Sequence, residues 1–462
     1  MSLLRLSGRH PARRHAWAVV VALLSLSGCQ AANDRLLGVT DPDIVIPSNL
    51  KSAESAIALA YGSIDTFRGT TGAAESTWLF GGLLADEWST SSTFIQNDET
   101  DQRRIQEFNT SITAMLRALY RVRTRSTAAA TALQEFSPTS RALIAEMYFA
   151  RGYAELQLAS DFCNGIPIGN TVSLPPENGA PISVQAVFTL AAASLDSAIS
   201  FANGTDTTSV KVNQASRVAR ARVALGLADF TNAGTFVAGI PTTFRYQHTF
   251  SLTTGTNTLW GQGLSSRRYS VGDSIEGNAR NIPVANAIPF ASSRDPRLPV
   301  TIPTTGAFNG QDGQTYTRTT PMWGQLTTVD VANGIDARLI EAEVALRAGN
   351  AAQWLTILNA LRAAPPRMGE VQSAALPPLV DPITDPSRVA LMFREKAFWT
   401  FSRGQRLGDM RRLLRQYGRT QANTFPQGVH YKGGNYGVDV NLPIVTDERN
   451  NPNFKGCTDR LP

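Results

Sequence analysis

The sequence predicts a mainly α-helical chain: a scaffold of tetratricopeptide-like helix pairs with an irregular region of loops and short strands inserted into it. Three observations carry that prediction. Apolar residues recur at three- and four-residue spacing through residues 48–240 and again through 334–417. Two segments, Ala219–Ala233 and Glu341–Asn350, place small residues on a helix ahead of a glycine, the degenerate tetratricopeptide pattern in which two helix backbones approach closely. Between them, residues 241–333 are crowded with Thr, Gly, Ser, Asn and Pro and show few helical stripes, as functional loops and short strands do. Residues 48–462 are accordingly read as one domain: an N-terminal helical part (48–240), the irregular centre (241–333), and a C-terminal helical part with an extended tail (334–462).

Ahead of that domain the chain has the order of an export signal. Arg5, Arg9, Arg13 and Arg14 precede an apolar run from Ala16 to Leu24, which is well short of the ~20 residues a membrane-spanning helix needs. Leu26-Ser27-Gly28-Cys29 closes the run and resembles a bacterial lipobox, in which the peptidase cuts before a cysteine whose thiol has received a diacylglycerol. Residues 1–28 are therefore read as a lipoprotein signal peptide, Cys29 as the lipid attachment point, and 29–47, polar and bearing Pro42 and Pro47, as a lipidated tether. Gln30 follows the cysteine, so the aspartate that retains some lipoproteins at the inner membrane is missing. The outer membrane is the expected location, with the lipid as the only membrane attachment.

Within the domain, Ser48 or Asn49 can cap a first helix running to about Phe67, with Ala53, Ile57, Ala60, Tyr61 and Ile64 on one stripe. An apolar segment from Trp78 to Leu84 ends at Asp86-Glu87-Trp88. Residues 101–135 predict one long amphipathic helix, and a further helix from Pro138 carries Leu143, Met147, Ala150, Tyr153 and Leu158 up to the loop at Asp161–Pro167. Helices are expected again at 183–202, 214–228 and 230–238, and helical pattern resumes over 334–362, with a partner helix from about Ala352 to Arg362, and over 387–417. Besides Cys29 there are only Cys163 and Cys457. In an oxidising compartment these two are expected to pair; two buried free thiols are the alternative. With no other cysteine, thiolate zinc sites and Cys-x-x-Cys redox chemistry are excluded.

The formal charge is +6, but the four arginines of residues 1–28 account for most of it, and the +2 left over makes no electrostatic case for a nucleic-acid partner. No Walker loop or His-Glu-x-x-His occurs, and Gly261-Gln262-Gly263 lacks the third glycine of a dinucleotide loop. Gly272-Asp273-Ser274-Ile275 resembles the start of a Gly-Asp-Ser-Leu esterase block. It lies mid-chain, however, and the late His430 has Gln427 where that family needs an aspartate. His248 and His430, the two histidines beyond the signal, are isolated and read as surface or packing residues. Asp86-Glu87 and Asp98-Glu99 are read as solvated acids. No catalytic residue, cofactor or metal is expected, and the chain is not read as an enzyme.

Aromatic residues are more informative. Trp354 and Trp399 lie in helical stripes and are assigned to the core. Trp88, Trp260 and Trp323, with Tyr269 and Phe308, lie in polar, loop-like contexts, where exposed ring faces suit stacking against sugars or other flat ligands. Loop anchors plugged into the core are the alternative for each.

Several blocks, in order, resemble the SusD/RagB-like outer-membrane lipoproteins. Cys29 ends the lipobox. Arg151-Gly152-Tyr153-Ala154-Glu155-Leu156 into Gly165-Ile166-Pro167-Ile168 is similar to the end of that family's first helix pair, with Cys163-Asn164 replacing the usual tyrosine-glycine lead-in. Asp295-Pro296-Arg297-Leu298 matches its Asp-Pro-Arg element. Ala337 to Glu343 with Leu358 to Arg362, Arg394 to Trp399 with Gly404 to Arg412, and Asn441-Leu442-Pro443-Ile444 with Asn451-Pro452-Asn453 resemble its later blocks. The resemblance implies a tetratricopeptide-like fold without enzymatic activity. It also implies binding of an oligosaccharide or other small nutrient at the cell surface and its delivery to a SusC-like TonB-dependent transporter. In starch-binding members an aromatic arc comes from the loop after the early Asp-Glu segment and from the central irregular region. Here those stretches hold Trp88, and Trp260, Tyr269 and Trp323, the expected ligand-binding residues. The resemblance also brings the segments of Cys163 and Cys457 near one another, and Arg394, Arg406, Asp409 and Arg411 fall on family positions read as structural ion pairs. The alternative function is a non-catalytic helical-repeat scaffold that binds only protein partners, with its aromatics buried. Cys29→Ser should abolish acylation and release the protein from membranes; a variant that still fractionates with outer membrane in high salt would place the anchor elsewhere.

Overall fold

Side-chain caps start most of the helices, and they place several starts differently from the apolar periodicity. The computed structural model describes residues 52–169, 177–276, 280–303 and 308–462, so the signal segment 1–28, Cys29 and the tether lie outside the described residues. Ser52 caps the first helix, α1 (Ala53–Gly72), in a reciprocal box with Ser55. Ser76 caps α2 (Thr77–Leu84), which is buried along its whole length. The predicted helix over 101–135 is two helices, α3 (Ile95–Asp101) and α4 (Thr110–Phe136). Arg103 breaks the run: it takes a left-handed φ of 58°, and its buried guanidinium donates to the carbonyls of Pro426 at 2.6 Å and Asp439 at 2.9 Å. Asn109 then restarts the helix by accepting from the amides of Ser111 and Ile112.

Next come α5 (Arg141–Asp161), α6 (Val184–Phe201), α7 (Thr207–Gly226) and α8 (Phe230–Val237). α7 begins at 207 rather than 214 because Asp206 caps the amide of Ser209 at 3.0 Å. Helices α4 to α8 pack each on the next, with α1 laid against α4. After the irregular region come α9 (Gly334–Arg347), α10 (Ala351–Ala363), α11 (Asp385–Trp399) and α12 (Arg406–Gln416). The expected helix over 387–417 is broken between the last two, where Ser402 and Gly404 have φ of 53° and 63°. A Cβ at Gly404 would lie 2.4 Å from the Trp78 ring, so only glycine fits.

Among the described residues the strands form only short antiparallel pairs, some of them in the N-terminal part and some in the irregular region. β1 (Trp88–Thr90) pairs with β5 (Tyr269–Val271), and β2 (Ile166–Pro167) with β3 (Pro181–Ile182). β4 (Arg245–His248) pairs with β8 (Val329–Asn333) across a bulge at Tyr246/Gln247, and β6 (Ile275–Glu276) with β7 (Ile282–Pro283). Two apolar cores result. One fills the space among α1 and α4 to α8; the other, rich in aromatic rings, joins α2, α9 to α11 and the irregular region. Ser52–Pro462 forms one compact unit.

The C-terminal tail is tied to the end of α5. Cys163 bonds to Cys457, 294 residues away, with the Cα atoms 5.8 Å apart. Around the bond the Cys163 amide donates to Leu442, the Thr458 amide donates to Asn164, and the Asn164 side chain bridges Asp459 and the first amide of α6. Gly165, at φ 102°, lets the tail pass: a Cβ there would meet the Gly456 carbonyl at 2.8 Å. The loop-entropy model assigns a closure of this length about 6 kcal/mol, an upper figure. Replacing both cysteines by serine should lower the melting temperature markedly while these hydrogen bonds keep the fold. Unchanged melting in calorimetry would show that the bond constrains nothing the tail contacts do not already hold.

Candidate ligand-binding surface

The four rings expected to line a site divide three to one. Trp88, Tyr269 and Trp323 are buried, at 1%, 1% and 5% exposure, which corrects the expectation of exposed stacking faces. Pairing of β1 with β5 sets Trp88 opposite Val271 and Tyr269 opposite Thr90. The Trp88 ring packs on Phe401 at 5.1 Å, and its Nε1 donates to Ser402 Oγ at 2.8 Å. Trp323 stacks on the same Phe401, 6.2 Å between centroids. Trp260, at the end of a helical turn begun at Thr258, is half-buried against the second core.

The polar residues that made these contexts look like surface are themselves buried. Asp86 accepts from the Ile288 amide at 2.8 Å, and burial pushes its carboxyl well above the usual range. Glu87 accepts from the Ser402 amide at 2.9 Å, and burial raises it to about 8. Neither is a solvated acid. His248 is a packing residue: its Nδ1 lies 2.7 Å from the Thr71 hydroxyl, and burial lowers its pKa to about 3, so the ring is neutral.

Exposed rings occur instead one layer out, on three loops laced together by backbone. Ser91, just after β1, donates its amide to Arg268 and accepts from the Asp312 amide. Its hydroxyl donates to the Arg267 carbonyl at 2.7 Å, which also accepts from the Gln311 amide at 3.3 Å. These loops present Phe94 (43% exposed) and Phe308 (55% exposed), the latter stacked on Tyr316 at 4.9 Å. The Arg268 guanidinium lies over the Phe94 ring at 4.2 Å. Lys432 reaches in from the C-terminal part and binds Asp98 at 2.8 Å, Asp312 at 3.1 Å and the Ser92 carbonyl at 2.8 Å. The flat apolar faces beside fixed polar groups suit a sugar ring. Phe308 is among the aromatics singled out from sequence. Phe94 is not, although it lies in the loop after Asp86-Glu87 where the resemblance places an aromatic, because Trp88 stands in the same stretch.

No protein-family profile matches the chain, and no curated protein sequence does. Solved structures do. A SusD superfamily protein from Bacteroides vulgatus superposes with TM-score 0.60 over 88% of this chain and 99% of its own, at 16% identity. A SusD-like carbohydrate binding protein from Bacteroides fragilis gives 0.64 over 87% and 99%, at 14% identity. A laminarin binding SusD-like protein gives 0.55 over 88% and 100%, at 15% identity. The fold is SusD-like.

Within the SusD-like fold, the motif residues form buried charge networks beneath the loops. Arg297 binds Asp295 and Glu395, both at 2.7 Å, and Glu395 also binds Arg362 at 2.9 Å. Glu343 is gripped by Arg412 and Lys396; burial alone would raise its carboxyl, but these two cations hold it at about 2. Of the four residues read as ion pairs, Asp409 makes them, with Lys396 at 2.8 Å and Arg412 at 3.1 Å. Among the described residues the other three do not. Arg411 donates to the carbonyls of Ala159 and Ser160 at the end of α5, Arg394 lies over the Phe398 ring, and the buried Arg406 senses Asp86 and Glu87 only through their fields. Trp323→Ala should therefore cost roughly 3–5 kcal/mol of stability, as core truncations do, whereas Trp260→Ala should shift the melting temperature far less. Equal, small shifts would show that Trp323 does not brace the core.

Proposed function

We propose that this chain binds an oligosaccharide on the surface formed by Phe94, Phe308 and Tyr316 and delivers it to a SusC-like TonB-dependent transporter. On this reading the protein is not an enzyme and sits at the outer membrane, held by a lipid on Cys29. The observation that carries the reading is the exposed Phe308 ring stacked on Tyr316, with the exposed Phe94 on a loop hydrogen-bonded to the same segment, on a fold shared with proteins named for carbohydrate and laminarin binding. The half-buried Trp260 is the one ring of the original four with a face left for a ligand; Trp88, Tyr269 and Trp323 support the surface from beneath. Their burial is also what the second reading, a helical-repeat scaffold that binds only protein partners, expects of its aromatics.

The two readings separate on one pair of measurements. Phe308→Ala should leave the melting temperature nearly unchanged, because the ring contributes little to the core. It should weaken binding of the best glycan on an array by about tenfold, the 1–3 kcal/mol scale of an aromatic stacking platform. A flat array response, with Phe308→Ala indistinguishable from the parent, would favour the scaffold.

A further inference from the structure

We propose that the ligand of this surface is an anionic glycan, bearing carboxylate or sulfate groups, and that Arg267 and Arg268 recognise its charge. The inference rests on the aromatic surface being a glycan site and adds the class of glycan.

Several arginines elsewhere in the fold are spent on partners. Arg297, Arg403 and Arg412 each hold buried carboxylates, and Arg103 and Arg411 hold buried carbonyls. The adjacent pair Arg267 and Arg268 differs: among the described residues neither side chain makes an ion pair or a hydrogen bond, and the buried Nε of Arg268 has no partner. Their backbones, by contrast, are pinned. The Arg267 carbonyl accepts from Ser91 and Gln311, while Arg268 donates to Gln262 at 2.8 Å and accepts from Ser91 at 2.9 Å. Arg267 is held in the left-handed region at φ 52°, which a non-glycine residue keeps only where the surroundings impose it. Two guanidinium groups are thus carried on a pinned backbone, and that of Arg268 rests over the Phe94 ring.

The two acids bonded into these loops do not answer that charge. Asp98 and Asp312 both turn to Lys432. Asp312 also accepts from the amides of Gln314 and Thr315 and from the Thr315 hydroxyl. The three donors of Lys432 are used in turn on these two carboxylates and the Ser92 carbonyl, so the lysine has none left for a ligand. The cluster keeps one negative charge against two on the arginines. A guanidinium offers a planar fork that matches carboxylate or sulfate oxygens two at a time, and the rings beside it offer a flat face for the sugar that carries them.

Calorimetry on the full chain in detergent tests this, with tetragalacturonate, a sulfated chondroitin tetrasaccharide and maltotetraose as probes. At low salt one of the anionic probes should bind at least about tenfold more tightly than maltotetraose, the scale of a hydrogen bond to a charged group, and the advantage should shrink as salt rises. Binding of tetragalacturonate would show that carboxylate suffices, whereas binding of the chondroitin alone, which carries both groups, would assign the sulfate. Arg267→Gln with Arg268→Gln should remove both the advantage and its salt dependence at unchanged melting temperature. Arg268→Lys, which keeps the charge but loses the fork, should recover only part. Maltotetraose binding as tightly as either anion, in a manner that needs Phe308 but not the arginines, would overturn the anionic assignment and leave the glycan site standing. No binding of any probe, with Phe308→Ala silent, would overturn both.

Discussion

Arg297 has no exposed surface and sits between the carboxylates of Asp295 and Glu395, with the rings of Phe398 and Trp399 against its guanidinium. Glu395 in turn takes Arg362 from α10. One desolvated cluster therefore bolts the irregular region to two C-terminal helices. Such a cluster is not a strong net source of stability, since its members lose their hydration. Removing one partner is nonetheless costly, because the other charge is left buried alone. The register of the irregular region against the helices is consequently steep in energy, and everything the loops present to solvent inherits that register.

The second tier of anchoring uses two buried acids. Asp86 and Glu87 follow α2 into a buried turn, where burial raises both carboxyls, that of Glu87 to about 8. Their oxygens cap the amides of Ile288 and Ser402, so β1, which follows them, is held to the irregular region and to the α11–α12 junction. Trp88 fills the space these contacts enclose. Because this layer is dry and closely packed, the loops above it can be short, rigid and rich in exposed rings without relying on their own contacts for position. That is the arrangement a preformed binding surface needs, since little ordering entropy remains to be lost when ligand arrives.

The helical scaffold was legible in the sequence because apolar periodicity is a local property. Residues three and four apart share a face whatever the rest of the chain does, so the helix pairs, the irregular insert and the pairing of Cys163 with Cys457 could be anticipated from spacing, compartment and resemblance. Boundaries were less legible. Arg103 and Gly404 interrupt helices that periodicity alone would continue, each for a contact made with a residue far away in sequence: Pro426 for one, Trp78 for the other.

What only the tertiary structure decided is which aromatic rings face solvent. Trp88 and Trp323 stand among polar neighbours in the sequence, and polarity there looked like exposure. The neighbours are polar because buried backbone amides need acceptors, and a carboxylate or hydroxyl that caps an amide in the core is indistinguishable, residue by residue, from one that meets water. Phe94 and Phe308 stand in similar company and are exposed. The difference lies in strand pairing and in which loop covers which, relations between segments some two hundred residues apart, and no local pattern encodes them.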